Sequence, residues 1–201
     1  MLKKNLLPLV IRTPGIRRTK RIIFLDRDGV INRFPGMGAY VTRPKDFHFI
    51  PGAVHAIRLL TQAGFEVNVI SNQGCVSRGM ITLSGLHRLT KKMIRRIKSA
   101  GGELNGVYYC VHQMSDQCRC KKPNTVLLKK ALRRRHFDLS DVFFIGDSKE
   151  DMQAAKKMKC RALLVLSGRT KKNDLNLFKP KPDQVKKDLL EAARWVIQKR
   201  S

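Results

Sequence analysis

The run Phe24-Leu25-Asp26-Arg27-Asp28-Gly29-Val30-Ile31-Asn32 places two carboxylates and a glycine directly after an apolar stretch, Arg21 to Leu25. In an extended chain residues i and i+2 project to the same side, so Asp26 and Asp28 converge where a parallel strand would end. Two like charges this close call for a cation between them, and a hard, oxygen-seeking ion such as Mg2+ fits. One carboxylate is then free to attack phosphorus while the other handles the proton. The pattern points to phosphoryl transfer, although D-x-D-G by itself also describes an Asx-rich turn.

Three further segments favour the chemical reading. Glu66 to Ile70 reads as a strand that ends in Ser71-Asn72-Gln73-Gly74, with Arg78-Gly79 shortly after, and a small hydroxyl with free backbone N–H groups can cradle phosphate oxygens. In Lys121-Lys122-Pro123 the proline can open the following helix and leave a lysine at its positive end, a place suited to an anion. Val142 to Gly146 reads as another buried strand, followed by Asp147 and, four residues later, Asp151. Asp147 could complete the oxygen shell of a metal. Asp151 could join it or serve as first-turn charge on a helix.

Cys110-Val111-His112-Gln113-Met114-Ser115-Asp116-Gln117-Cys118-Arg119-Cys120 gathers three thiols and an imidazole within eleven residues. Cys110, His112, Cys118 and Cys120 make a Cys3His set for tetrahedral zinc, and with all four positions filled by protein the ion would be structural. The chain has five cysteines and enough length for a full core without cross-links, so a metal outweighs a disulfide framework. Of the remaining two, Cys160 is expected as a small buried hydrophobe and Cys75 as an exposed, oxidisable thiol.

Strand-end loops that carry acid, hydroxyl, lysine and acid in that order resemble the haloacid dehalogenase superfamily of phosphatases. Within it the stretch Ile22 to Thr170 is similar to the D-glycero-D-manno-heptose 1,7-bisphosphate phosphatases, with histidinol-phosphate phosphatases the nearest alternative. The marks are Asp26 to Asn32, Ser71-Asn72-Gln73 with Arg78-Gly79, the cysteine loop, and Gly146-Asp147 followed by Glu150-Asp151-Met152-Gln153-Ala154-Ala155. The resemblance implies an α/β, Rossmann-like fold with helices on both faces of a parallel sheet and no large cap domain. It implies Asp26 as nucleophile and Asp28 as acid and then base. Mg2+ would lie between the Asp26 side chain, the Asp28 backbone carbonyl and Asp147. Ser71, Asn72, Gln73 and Lys122 would hold the transferring phosphate, and Arg78, Lys121 and Tyr40 the far end of a sugar bisphosphate. Lys121 stands where the heptose enzymes usually carry arginine, which removes a planar fork for phosphate.

Those loops need elements to hold them. Strands are expected at 21–26, 66–71, 106–110, 142–146 and 161–166, with helices near 52–64, 82–100, 124–136 and 149–158. Such alternation predicts a parallel sheet with its site at the carboxyl ends of the strands. The spare segment Arg33 to Phe49 is a candidate substrate-reading loop.

With 201 residues and 42% hydrophobic composition, the chain suits one catalytic domain at 21–170, acting as a monomer. Residues 1–20 are expected as a loosely packed basic arm. The tail, 171–201, is expected to end in an amphipathic helix from Asp183 to Arg200 that docks on the core or lies on a membrane surface. The apolar run Leu6 to Ile11 is too short to span a bilayer and has no small-residue cleavage site, so a cytoplasmic location is expected. The net charge of +27 fits a solvated basic face better than a dedicated polyanion partner. A nucleic-acid-binding module that kept the fold is the rival from another class, and a nucleic-acid end-processing phosphatase is an intermediate one.

Overall fold

The four-residue strand β2 (Ile22–Leu25) is buried on both faces, because Ile22 and Phe24 point to one helical layer and Ile23 and Leu25 to the other. In the computed structural model, which describes residues 7–13, 19, 21–132 and 138–199, it forms the centre of a seven-stranded sheet. The other strands are β1 (Leu9–Arg12), β3 (Glu66–Asn72), β4 (Gly106–Cys110), β5 (Phe143–Gly146), β6 (Arg161–Val165) and β7 (Gln184–Lys186). Their order is β1-β4-β3-β2-β5-β6-β7, parallel throughout except for β1, which runs antiparallel to β4. From β2 the chain moves outward through β3 and β4, then returns past it to β5 and β6. The strand order therefore reverses beside β2, which opens a crevice at its carboxyl end.

Helices α1 (Ala53–Gln62), α2 (Leu83–Ser99) and α5 (Leu189–Gln198) cover one face, and α3 (Val126–Leu132) and α4 (Lys149–Lys157) the other. Each presents a stripe at helical spacing, as with Leu86, Leu89, Met93 and Ile97 of α2. The opposite side of α2 exposes Arg88, Lys91, Lys92, Arg95, Arg96 and Lys98, and no acidic residue occurs in this helix. No described helix is long and apolar enough to cross a membrane, and the described connections form no second domain over the sheet.

The structure differs from the sequence expectations at both edges. The run read as part of a loose arm supplies β1, whose Leu9 to Arg12 pair with Tyr109 to Gly106. The tail read as one helix from Asp183 begins instead with β7, parallel to β6, and turns into α5 only after Asp188 caps it by accepting the Glu191 amide at 3.0 Å. Leu189, Ala192, Ala193 and Val196 then bury against the core, so the apolar face of α5 is used internally. Helix α3 begins at Val126 rather than at Pro123, after a turn closed by the Asn124 amide on the Lys121 carbonyl at 2.8 Å. Lys3, Lys4, Arg17, Arg18, Lys20, Arg133 to Arg135 and Arg200 lie outside the described residues.

Candidate active site

The Asp26 amide donates to the Ile145 carbonyl at 3.0 Å, the last rung between β2 and its neighbour, and the chain then leaves the sheet. The turn that follows folds back on Arg27, whose carbonyl accepts from Ile31 at 2.8 Å and Asn32 at 3.1 Å. Gly29 sits at φ +88°, and a Cβ there would lie 2.0 Å from Asp147 Oδ2. A Cβ on Gly168 would fall 1.9 Å from the same oxygen, so two glycines let backbone close around this carboxylate. The Arg169 amide donates to it at 2.6 Å.

Asp26, Asp147 and Asp151 are all buried, and one oxygen from each lies within 4.8 Å of the others. Lys122 is the cation among them, with Nζ 2.7 Å from Asp26 Oδ1, 2.6 Å from Asp151 Oδ1 and 2.9 Å from the Ile70 carbonyl. Burial pushes the Asp26 pKa up to about 6, with Asp151 and Asp28 adding to the rise and Lys122 opposing it. Asp147 is raised well above the carboxylate range by burial and then by Asp26 and Asp151. Burial opposes the charge on Lys122, but Asp151 and Asp26 outweigh it and hold its pKa above the usual lysine value. Three carboxylates against one ammonium leave uncompensated negative charge on hard oxygen donors, a set that suits a small divalent cation.

Asp151 has two roles. Its Oδ2 accepts from the Ser148 amide and the Asp147 amide, both at 3.2 Å, closing the first turn of α4 as a capping box. Its other oxygen takes the Lys122 ion pair. Asn72 pins the lysine loop from the opposite side, donating to the Lys122 carbonyl at 3.2 Å and accepting its amide at 3.0 Å. Lys122 thus reaches the centre from a side-chain-clamped turn and not from a helix N-terminus.

A cavity of about 670 Å3 opens above this cluster. Asp26, Asp28, Ser71, Asn72, Lys122 and Asp147 line it, together with Tyr40, Arg78 and Lys121. The Arg78 guanidinium lies 5.7 Å from the centre of the Tyr40 ring. Gln73 is different: it is fully buried and outside the cavity lining, and its Nε2 donates to Asp28 Oδ2 at 2.8 Å and to Ser71 Oγ at 3.2 Å. Its expected place among the phosphate contacts is therefore corrected to a support beneath them. Cys75, expected to be exposed, is also buried, which raises its thiol pKa. Cys160 is the small buried hydrophobe its context suggested, pushed up to about 12 by burial alone.

Two further features escaped the sequence reading. Arg169 lines the cavity and pairs with Glu150 at 3.2 Å; the only hint was Gly168, which follows an apolar strand. Arg27 is completely buried and forks onto Asp28.

The cysteine loop forms one wall. Cys110, Cys118 and Cys120 bring their sulfurs within 3.4–3.6 Å of one another, and His112 Nδ1 lies 3.2 Å from Cys120 and 3.7 Å from Cys110. Four donors about 2.3 Å from a common centre would stand about 3.8 Å apart as tetrahedron edges, so the cluster has the dimensions of a tetrahedral metal site. Gln113, Met114, Gln117 and Cys118 face the cavity from this loop. Asp116 ties the loop to the second motif by accepting from Ser77 Oγ and from the Gln113 amide at 2.9 Å.

Comparison with known proteins gives a consistent relationship. The HAD-hydrolase-like family model matches residues 119–192. D-glycero-β-D-manno-heptose-1,7-bisphosphate 7-phosphatase of Neisseria meningitidis is 33% identical over 180 residues, covering 89% of this chain and 95% of that protein. The enzyme of the same name from Pseudomonas aeruginosa is 34% identical over 165 residues, 82% of this chain and 90% of its own. The crystal structure of D,D-heptose 1,7-bisphosphate phosphatase from Bordetella bronchiseptica, complexed with magnesium and phosphate, superposes with a TM-score of 0.81 at 32% identity, covering 89% of this chain and 99% of that one. With its sheet order, its convergent acids and relatives matched over nearly their whole length, the chain belongs to the D-glycero-β-D-manno-heptose-1,7-bisphosphate 7-phosphatase family of haloacid dehalogenase-like hydrolases.

Proposed function

We propose that the chain is a magnesium-dependent phosphomonoesterase that removes the 7-phosphate of D-glycero-D-manno-heptose 1,7-bisphosphate through an aspartyl-phosphate on Asp26. The observation that carries this is the number of cations around one cavity. Lys122 is buried against Asp26, and Arg78 and Lys121 line the same cavity, where a second phosphate would meet them.

In the first step an Asp26 oxygen forms a bond to phosphorus, the bond from phosphorus to the sugar oxygen breaks, and Asp28 gives that oxygen a proton. In the second step Asp28 takes a proton from water, the water oxygen bonds to phosphorus, and the bond to Asp26 breaks to release phosphate. One group serves both steps because they move the proton in opposite directions. Ser71, Asn72 and Lys122 hold the equatorial oxygens throughout. The Asp26 and Asp147 side chains and the Asp28 backbone carbonyl would hold Mg2+, which supplies charge neutralisation at the phosphoryl oxygens. Cys110, His112, Cys118 and Cys120 would hold a structural zinc that keeps the cavity wall in shape.

Histidinol phosphate fits this cavity less well, because its free end is a cation and would face Arg78 and Lys121. A phosphate-release screen over heptose bisphosphate, histidinol phosphate and 3′-phosphorylated DNA tests the assignment. The expected result is a clear preference for the bisphosphate; higher kcat/KM on either of the others would overturn it.

A further inference from the structure

Arg27 spends a full charge inside the protein. Its side chain is 0% exposed, with the guanidinium 5.9 Å from the centre of the Phe47 ring and 5.5 Å from that of Tyr109. Neighbouring residues of an extended chain point in opposite directions, yet the turn after β2 bends Arg27 back onto the side chain next to it. Nε and Nη2 donate to Asp28 Oδ1 at 3.0 and 2.8 Å, and Nη2 donates to Oδ2 at 2.9 Å. Asn32 adds a bond to Oδ1 at 2.8 Å and Gln73 one to Oδ2 at 2.8 Å. The Asp28 carboxylate is thus gripped by three side chains while it still lines the cavity.

Stability does not account for this arrangement. A buried ion pair loses in desolvation much of what it gains in attraction, and an apolar side chain of similar volume between two aromatic rings would serve a purely structural purpose as well or better. The Phe47 and Tyr109 rings beside it instead confine the guanidinium, and a confined guanidinium orients the carboxylate that it forks. Proton transfer needs such precision, since an oxygen displaced by about 1 Å costs on the order of a hundredfold in rate.

We infer that Arg27, backed by Phe47 and Tyr109 and assisted by Gln73, is a positioning residue that sets the direction in which the Asp28 carboxylate exchanges protons with leaving group and water. The inference rests on the reading of Asp28 as acid and base given above. Arg27 touches no substrate; it acts through Asp28.

Two variants test this without removing the whole buried charge. Gln73→Met keeps about the volume of the side chain and deletes the amide that donates to Asp28 Oδ2 and Ser71 Oγ. Arg27→Lys keeps the charge and deletes the fork. On the bisphosphate, each is expected to lower kcat per folded enzyme on the order of tenfold or more, with KM nearly unchanged. With p-nitrophenyl phosphate, whose leaving group needs no acid, each is expected to release a burst of one nitrophenol per enzyme followed by slow turnover, because water attack on the phospho-enzyme then limits the rate. Wild-type kcat in a folded Gln73→Met protein would overturn the inference, as would losses confined to KM or to the folded fraction. Should Arg27→Lys not fold, Gln73→Met decides alone. Asp28→Asn separates the two levels: if that variant turns over normally, the acid–base reading itself fails, whereas its inactivity beside a normal Gln73→Met removes only the role of Arg27 and Gln73.

Discussion

Arg78 is the residue through which substrate identity can be read most cleanly. It lies over the Tyr40 ring in the lining of the cavity. If it meets the distal phosphate, Arg78→Ala loses a charge-assisted contact of about 1.5–3 kcal/mol, or roughly tenfold to a hundredfold in kcat/KM on the bisphosphate. A small generic phosphate ester has nothing at that position to lose and is expected to react almost as before. Equal losses on both substrates would place Arg78 in the machinery of the reaction. Asp26, Ser71 and Asp147 were readable because each stood at the end of an apolar run; Lys122, which follows the cysteine loop, was readable only from its place in the order of motifs. Gln73 and Arg27 were not, since both owe their roles to contacts that the turn geometry creates, one of them 45 positions apart in the chain. Asp151 had two plausible roles in sequence and proved to combine a helix cap with an ion pair.

At the scale of elements, the cysteine loop has only a short 3-10 turn, Met114–Asp116, to support it. Its shape must come from the four donors and from the Asp116 contacts to the second motif. One zinc per chain is therefore expected by elemental analysis of protein purified without chelator. Cys118→Ser is expected to lose that zinc together with a substantial part of thermal stability. A zinc-free protein of unchanged melting temperature would contradict the assignment. The central strands and their helices matched the sequence pattern closely because long apolar runs and helical periods announce them. Strands β1 and β7 did not, because their partners can only be identified once the sheet exists. The amphipathic signal of α5 was correct in kind, but the preceding segment had been absorbed into it.

For the whole molecule the dominant quantity is charge. The chain carries 42 Lys and Arg against 15 Asp and Glu, and the exposed side of α2 concentrates part of the surplus without an acid in the helix. A field of this sign draws anionic substrates toward the cavity and falls off with salt. As a solvated surface it is expected to retain DNA or RNA weakly at low ionic strength and not measurably at about 0.15 M salt. Binding that survives physiological salt, with a steep salt slope, would instead mark a nucleic-acid partner.

The proposed reaction depends on Asp26 becoming phosphorylated during turnover. Enzyme quenched in acid while it hydrolyses the bisphosphate, then digested and analysed by mass spectrometry, tests that claim directly. The account predicts one phosphoryl group on the peptide that contains Asp26, and none in an inactive Asp26→Asn variant. Phosphate on a different residue, or near-normal turnover by Asp26→Asn, would contradict it.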